Sequence, residues 1–168
     1  MYRRRTPGSK RDLARQWSLP DRVFFAAGAC HILAYAFLEA YPESGFEPFW
    51  IRPAVGHTGN HVVVVRGEAV FDYHGYSRWS AYWAHTKRRA NHHWPGWHAD
   101  ILTIRQEALV SNAQAQEYEG LRMKEPSQYL CDPLSRARTY LEKFAAPTAW
   151  TLGSAQCVSV VSRPPRCG

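Results

Sequence analysis

The chain has 168 residues, of which 45% are hydrophobic, so it has the length and composition of one soluble globular domain. Its net charge of +7 favours an acidic partner, such as nucleic acid, an anionic membrane surface or an acidic protein. Its four cysteines show no CxxC pair and no regular spacing, which argues against a disulfide framework and favours a reducing compartment.

The first part of the chain is basic and then strongly apolar. Residues 1–20 are predicted to form a basic, flexible lead-in. The apolar run over 23–41 has nearly the length of a membrane span, and the residues just before Cys30 are similar to a lipoprotein cleavage site. His31 and Glu39 interrupt the run, so neither a membrane span nor a lipid anchor is expected.

The predicted elements that follow are a helix and a β-hairpin. Apolar side chains at helical spacing predict a helix over 29–40. Residues 42–60 are rich in proline and glycine and are predicted to be a loop, with a short strand around 49–51. Two apolar runs flanking an Arg-Gly-Glu turn predict hairpin strands near 61–65 and 69–73.

The second half of the chain contains one aromatic and basic segment and one clear helix. Residues 77–98 are predicted to begin as a helix that ends before a Pro-Gly pair, and 99–104 to add a strand. Residues 132–146 predict a helix capped by its first aspartate, with proline next. A single domain is therefore expected over 21–148, followed by a poorly ordered tail over 149–168.

The hairpin carries a histidine and an aspartate that a sheet does not require. A two-residue turn at Arg66-Gly67 places His61 directly opposite Asp72, and a turn at Gly67-Glu68 makes the two residues diagonal neighbours. Both registers put the imidazole and the carboxylate on one face, whereas a three-residue turn would separate them. A carboxylate on one ring nitrogen fixes the tautomer and stabilises the imidazolium, which leaves the other nitrogen to act on a nucleophile.

Cys30 is the candidate nucleophile. It lies in the first turn of the predicted helix, where the positive end of the helix dipole and free N–H groups favour a thiolate. A neighbouring imidazolium would lower the pKa of this thiol further, and the backbone N–H of Cys30 is a candidate oxyanion donor. The other three cysteines lack such a setting.

The chain order of these residues resembles that of the papain-like and transglutaminase-like cysteine hydrolases. The resemblance covers about residues 20–80 and places the nucleophile on Cys30 in "GACHILAYAFLE", the base on His61 in "GNHVVVV" and the orienting acid on Asp72 in "AVFDYHGY". It implies an α+β fold in which an N-terminal helix packs on a small antiparallel sheet. It also implies thiol-dependent acyl transfer on protein amides. Glutamine deamidation, the reaction of some bacterial effector toxins, is favoured over peptide cleavage or transamidation.

Other site residues are weaker candidates. The papain-type glutamine shortly before the cysteine is missing, so Gln16, farther upstream, and Asn60, beside the histidine, are the candidate oxyanion donors. Trp79, Trp83 and Trp94 are candidates for the wall of a substrate groove. No metal and no cofactor are expected. The expected partner is a protein substrate with an acidic surface, and the expected location is the cytoplasm or, for an effector, export without a classical signal peptide.

Two alternatives remain open at this point. The run "NHHWPGWH" resembles part of an HNH-type metal-dependent nuclease motif, with His92 and His93 at its centre and Asp100 as the nearest carboxylate. In that reading the nucleic acid would be bound by Lys87, Arg88 and Arg89. A non-enzymatic reading is a basic, aromatic surface that binds single-stranded nucleic acid. The plain structural reading of the segment is an aromatic core layer with a basic outer face.

Overall fold

The computed structural model describes residues 12–148, which form an α+β fold, as predicted. The α-helices of this part of the chain span Leu13–Trp17 (α1), Asp21–Ala26 (α2), Cys30–Ala40 (α3), Trp79–His93 (α4), Asn112–Ala115 (α5) and Pro133–Leu141 (α6). The strands span Glu47–Pro53 (β1), His61–Arg66 (β2), Ala69–Asp72 (β3), Gly75–Arg78 (β4) and Ala99–Thr103 (β5). Short 3₁₀-helices cover Pro42–Ser44, Gln106–Leu109 and Pro126–Gln128.

The strands form one antiparallel sheet in the order β4-β3-β2-β1-β5. In the hairpin of β2 and β3, Arg66 pairs with Ala69, so Gly67 and Glu68 are the two turn residues. Gly67 has a φ of 53°, the left-handed conformation that two-residue hairpin turns require and glycine adopts easily. This is the second of the two predicted registers, in which His61 and Asp72 are diagonal neighbours on one face.

Helices cover both faces of the sheet. Successive residues of a strand point to these two faces in turn, so each strand contributes side chains to both. Helix α3 packs on the face that includes Val62, Val64 and Phe71, and the ring of Phe37 stacks on that of Phe71 at 4.5 Å. Helix α4 covers the other face with an aromatic layer. The members of that second core cluster are Phe49, Ile51, Val63, Val65, Val70, Trp79 and Trp97.

Helix α3 is the central element of the larger core. Its residues Ile32, Ala36 and Phe37 have no exposed surface, in keeping with the apolar spacing that predicted the helix. Burial of a large apolar side chain contributes roughly 1.5–3 kcal/mol relative to an exposed position. This packing fixes the start of α3, and therefore Cys30, against strands β2 and β3.

The prediction of a flexible lead-in is wrong for residues 13–20. Helix α1 lies in this stretch, its Gln16 is buried, and Arg136 of α6 donates hydrogen bonds to the carbonyls of Trp17 and Leu19 at 2.6 and 2.5 Å. The Arg136 guanidinium also donates to Asp21 at 3.0 Å. The rest of the lead-in, residues 1–11, and the predicted tail, 149–168, lie outside the described residues.

Helix α6 begins as predicted, with the Asp132 side chain accepting a hydrogen bond from the N–H of Leu134 at 2.9 Å. It also clamps the turn between β3 and β4, because the Tyr140 hydroxyl donates to the Tyr73 carbonyl at 2.8 Å. Just after α6, the ring of Phe144 lies so close to Gly75 that an added Cβ would be 2.9 Å away. Between residues 12 and 148, no helix has the length and apolar character needed to cross a bilayer.

Candidate active site

The structure brings Cys30, His61 and Asp72 together at one end of the sheet. Cys30 is the first residue of α3, His61 the first of β2 and Asp72 the last of β3. A cavity of about 10 Å³ lies between α3 and these strands, with room for roughly one water molecule. Its lining residues are Cys30, Leu33, Ala34, Val62, Phe71, Asp72 and Tyr73.

The His61 ring faces the Asp72 carboxylate, with 3.5 Å between His61 Nε2 and Asp72 Oδ2. The two side chains are 14% and 3% exposed, so little water screens their interaction. The distance is that of an ion pair and slightly longer than a good hydrogen bond, and His61 Nε2 has no closer partner among the described residues. Because Asp72 faces Nε2, Nδ1 is the ring nitrogen left for the thiol.

The Asp72 carboxylate is held as an anion although it is buried. Burial alone would raise its pKa. Hydrogen bonds from His61 and His74 and the positive charge of His61 outweigh burial and hold the pKa of Asp72 well below 3.8. The backbone N–H of His74 also donates to Asp72 Oδ1 at 2.8 Å. Asp72 therefore presents a negative charge to both imidazole rings.

Cys30 and His61 form a coupled pair that favours the thiolate and the imidazolium. Burial raises the pKa of the Cys30 thiol, but the positive charge of His61 and hydrogen bonds from His31 and His61 lower it well below 9.0. Burial lowers the pKa of His61, but the Cys30 thiolate and the Asp72 carboxylate raise it to about 10. As a residue, Cys30 is intermediate between buried and exposed, and it lines the small cavity at the start of α3.

The start of α3 adds backbone donors to this pair. Among the described residues, no side chain caps this end of the helix, and its first turn contains no acidic residue. The N–H of Leu33 is the first to bond within the helix, at 3.1 Å to the carbonyl of Ala29. The N–H groups before it, including that of Cys30, keep the positive end of the helix dipole beside the sulfur.

A buried network supports the helix start from behind. The His31 ring, 4% exposed, donates from Nε2 to the Lys124 carbonyl at 3.0 Å, and the Tyr129 hydroxyl donates to the Gly28 carbonyl at 2.9 Å. The Lys124 ammonium donates to Gln16 Oε1 at 3.0 Å. Gln16 is therefore connected to the His31 ring through Lys124. Because Lys124 donates to the amide oxygen of Gln16, the amide nitrogen is the group of this side chain that is left to donate.

The remaining predicted site residues lie in other settings. Asn60 is next to His61 in sequence, and its side-chain oxygen accepts a hydrogen bond from the Trp50 indole. Trp79 is buried in the second core cluster and stacks on Trp83 at 6.0 Å, so the prediction that Trp79 lines a substrate groove is wrong. Trp83 packs against the same cluster. Trp94, 40% exposed, lies just after α4.

Over the described part of the chain, the structure shows no metal site at the histidines of the nuclease reading. His92 and His93 are the last two residues of α4, which follows strands β3 and β4, and the Pro-Gly pair comes just after them. Both are exposed, and their rings contact each other at 5.1 Å. Within residues 12–148, no three histidine, cysteine or acidic side chains are grouped to hold a metal ion. The segment 77–98 instead forms the aromatic layer with a basic outer face.

Comparison with known proteins adds no relative to this picture. No protein-family model matches the chain, and no curated protein or solved structure shows a significant match to it. The resemblance to papain-like and transglutaminase-like enzymes stays a prediction that rests on the three residues and their order.

Sequence reasoning missed several neighbours of the site. His31 and His74 follow Cys30 and Asp72 closely, so the runs "CH" and "DYH" were a usable signal for them. Tyr82 of α4 had no such signal, yet burial and the charges of Asp72, Tyr73 and Cys30 raise its pKa well above 10.0. Lys124 also lies far from Cys30 in sequence, and only the fold brings it to the helix start.

Proposed function

We propose that the protein is a thiol-dependent acyl-transfer enzyme with Cys30 as nucleophile, His61 as base and acid, and Asp72 as the group that orients His61. The observation that carries the proposal is a buried carboxylate 3.5 Å from the imidazole of His61, and the positive charge of that imidazole lowers the pKa of the thiol at the start of α3. Structural cysteines are usually buried in apolar surroundings that keep them protonated. The surroundings of Cys30 act in the opposite direction.

The favoured reaction is hydrolysis of a glutamine side-chain amide. The Cys30 thiolate attacks the amide carbon, and the C–N bond then breaks as the leaving ammonia takes a proton from the His61 imidazolium. Water attacks the resulting thioester while His61 accepts one of its protons, and cleavage of the C–S bond returns the Cys30 thiolate beside the protonated His61. The products are glutamate and ammonia. Peptide cleavage uses the same steps with a backbone amine as leaving group.

The oxyanion that forms in both steps needs hydrogen-bond donors. The N–H of Cys30 is one, since it lies at the uncapped start of α3. Gln16 stays the candidate for a second donor that the sequence offered, since its amide oxygen accepts from Lys124 and its amide nitrogen is left to donate. Loss of one such donor typically costs about 10²–10³ in turnover. Gln16→Ala should therefore slow amide hydrolysis strongly while alkylation of Cys30, which forms no oxyanion, keeps its rate.

The proposed substrate is a protein with an acidic surface, as for a bacterial effector that deamidates a protein in another cell. Residues 73–99 contain four Lys or Arg and no acidic residue, and Lys87 and Arg88 are exposed on the outer face of α4. Such a surface attracts an acidic partner and orients it during encounter.

The first test is the reactivity of the thiol. Iodoacetamide should label Cys30 much faster than Cys131 near pH 7, although Cys131 is the more exposed of the two. Peptide mass spectrometry of briefly treated protein measures both rates in one sample. Equal rates, or faster labelling of Cys131, would contradict the proposal.

The second test is the reaction itself. Carboxybenzyl-Gln-Gly serves as a small glutamine substrate, and ammonia release measures turnover; Cys30→Ala should abolish it, and the exposed Cys131→Ala is the matched control. Added hydroxylamine distinguishes deamidation from transamidation, because a transamidating enzyme transfers the acyl group of the glutamine substrate to hydroxylamine and forms a hydroxamate. A casein digest tests peptide cleavage. If wild-type protein with a reactive Cys30 releases neither ammonia nor peptides, the amide-substrate assignment is wrong.

A further inference from the structure

The Asp72 carboxylate lies between two imidazole rings, and each of its oxygens faces one of them. Oδ2 lies 3.5 Å from His61 Nε2, and Oδ1 lies 3.4 Å from His74 Nδ1. Oδ1 also accepts the backbone N–H of His74 at 2.8 Å. The triad explains the first ring only, so the second ring needs an explanation of its own.

His74 is held in place by the turn on which it lies. Asp72 pairs with Gly75 across β3 and β4, so Tyr73 and His74 are the two turn residues between them. The rings of Tyr73 and His74 pack at 4.1 Å, and the carbonyl of Tyr73 accepts the Tyr140 hydroxyl. The His74 side chain is 34% exposed, which keeps it in contact with solvent while its Nδ1 faces inward to Asp72.

We propose that His74 is a positioning residue that fixes the rotation of the Asp72 carboxylate. A carboxylate at the end of a strand rotates about its last bond, and rotation would turn Oδ2 away from His61. The His74 side chain and N–H both bind Oδ1, so Oδ2 stays directed at His61 Nε2. Through that contact His74 keeps the His61 ring oriented toward Cys30. This inference rests on the proposed function only in taking His61 as the base of Cys30.

The experiment follows the alkylation rate of Cys30, which needs no knowledge of the substrate. The variants are made in a protein that carries Cys131→Ser, Cys157→Ser and Cys167→Ser, so that one thiol reacts. His74→Leu removes the side-chain donor and should slow alkylation at pH 7 roughly five- to tenfold. His74→Asn keeps an N–H donor near the place of Nδ1 and should restore the rate to within about twofold. His85→Leu, an exposed histidine of α4, is the control and should change nothing.

A double-mutant cycle shows whether His74 acts through Asp72. If it does, His74→Leu has no further effect on alkylation in an Asp72→Ala background. The ¹⁵N resonances of the His61 ring give a second readout in folded protein: they should shift in His74→Leu and stay in place in His85→Leu. In otherwise unchanged protein, Asp72→Asn should shift the ring resonances of His61 and His74 together, a test that needs no substitution at position 74.

The outcomes separate this inference from the proposed function. A His74→Leu variant with the wild-type rate and unshifted His61 resonances would overturn the positioning role, and so would an asparagine variant as slow as the leucine one. An undiminished effect of His74→Leu without Asp72 would overturn it too. If Cys30 of the wild type reacts no faster than Cys131, the proposed function fails first, and the ring resonances in Asp72→Asn still report whether the carboxylate couples the two histidines.

Discussion

The end of the sheet around His61 and the end of helix α4 around His92 and His93 carry the two sets of histidines that the sequence offers for catalysis. His61 is nearly buried, faces an ionised carboxylate and interacts with a cysteine. His92 and His93 are exposed and contact each other and Trp94. A buried charged partner shifts the pKa of a histidine and thereby changes its chemistry. A run of neighbouring histidines does not provide such a partner by itself.

The largest expected difference between the two regions is in turnover. Cys30→Ala should lower amide hydrolysis by about 10⁴-fold or more, because no other group in the proposal forms the acyl intermediate. His92→Ala combined with His93→Ala should leave hydrolysis unchanged. Ammonia release from carboxybenzyl-Gln-Gly measures both. The comparison breaks if the histidine pair is needed and Cys30 is dispensable. EDTA-sensitive cleavage of nucleic acid that depends on His92 and His93 would favour the nuclease reading.

The next largest effect is expected at Asp72. Asp72→Asn should lower turnover by about 10²–10⁴, because a neutral amide neither stabilises the imidazolium nor fixes the same tautomer. Asp100→Asn is the matched control: Asp100 pairs with Arg52 at 2.7 Å on the surface, and its side chain is 62% exposed. Comparable losses in both variants would show that the carboxylate of Asp72 has no special part in the reaction.

The pH dependence of alkylation sharpens the comparison further. Because His61 lowers the pKa of the Cys30 thiol, labelling of wild type should reach a plateau well below pH 9.0 and change again near pH 10, where His61 loses its proton. His61→Ala should move the acid limb up toward 9.0, whereas His92→Ala should leave the profile in place. Alkylation rates from pH 4 to 11, in protein whose only cysteine is Cys30, measure the profiles. An unchanged profile for His61→Ala would contradict the ion pair.

The smallest expected effect is on stability. The pKa of Asp72 is lower in the folded state than in the unfolded one, so its contribution to stability is present above pH 3.8 and is lost as the pH falls toward the folded-state pKa. Asp72→Asn should therefore lower the free energy of unfolding by roughly 1–3 kcal/mol at pH 7, and by less below pH 3.8. Asp100→Asn should change it little at either pH. Urea denaturation measures both variants, and a constant loss at all pH values would contradict this origin.

The sequence predicts the elements that carry the three candidate residues better than it predicts the rest of the fold. Helix α3 and the hairpin of β2 and β3 follow local rules, apolar spacing and turn chemistry, so Cys30, His61 and Asp72 could be placed on their elements. The choice between two hairpin registers needed the turn geometry at Gly67, because both registers satisfy the same alternation. The sequence-based prediction also left β1 too short and omitted β4, since prolines and glycines in those segments obscure the strand pattern.

Other parts of the molecule depend on contacts between distant residues. Helix α1 is short and basic and is ordered by Arg136, more than a hundred residues later, which no local pattern reveals. From the sequence alone, Trp79 and Trp83 fit a core layer and the wall of a groove equally well. The choice depends on which face of the sheet α4 covers, and the sequence does not show that. The hydrogen bonds of His31 and Gln16 with Lys124 were beyond sequence reasoning for the same reason.

The clamp that Tyr140 and Phe144 place on the turn after β3 has a consequence for synthesis. Cys30, His61 and Asp72 leave the ribosome long before the helix that secures the turn holding Asp72 and His74. A nascent chain therefore carries all three reactive groups without the geometry that couples them. In the proposed enzyme, the thiol would therefore reach its full nucleophilic character only after residue 144 has emerged from the ribosome and packed on the turn.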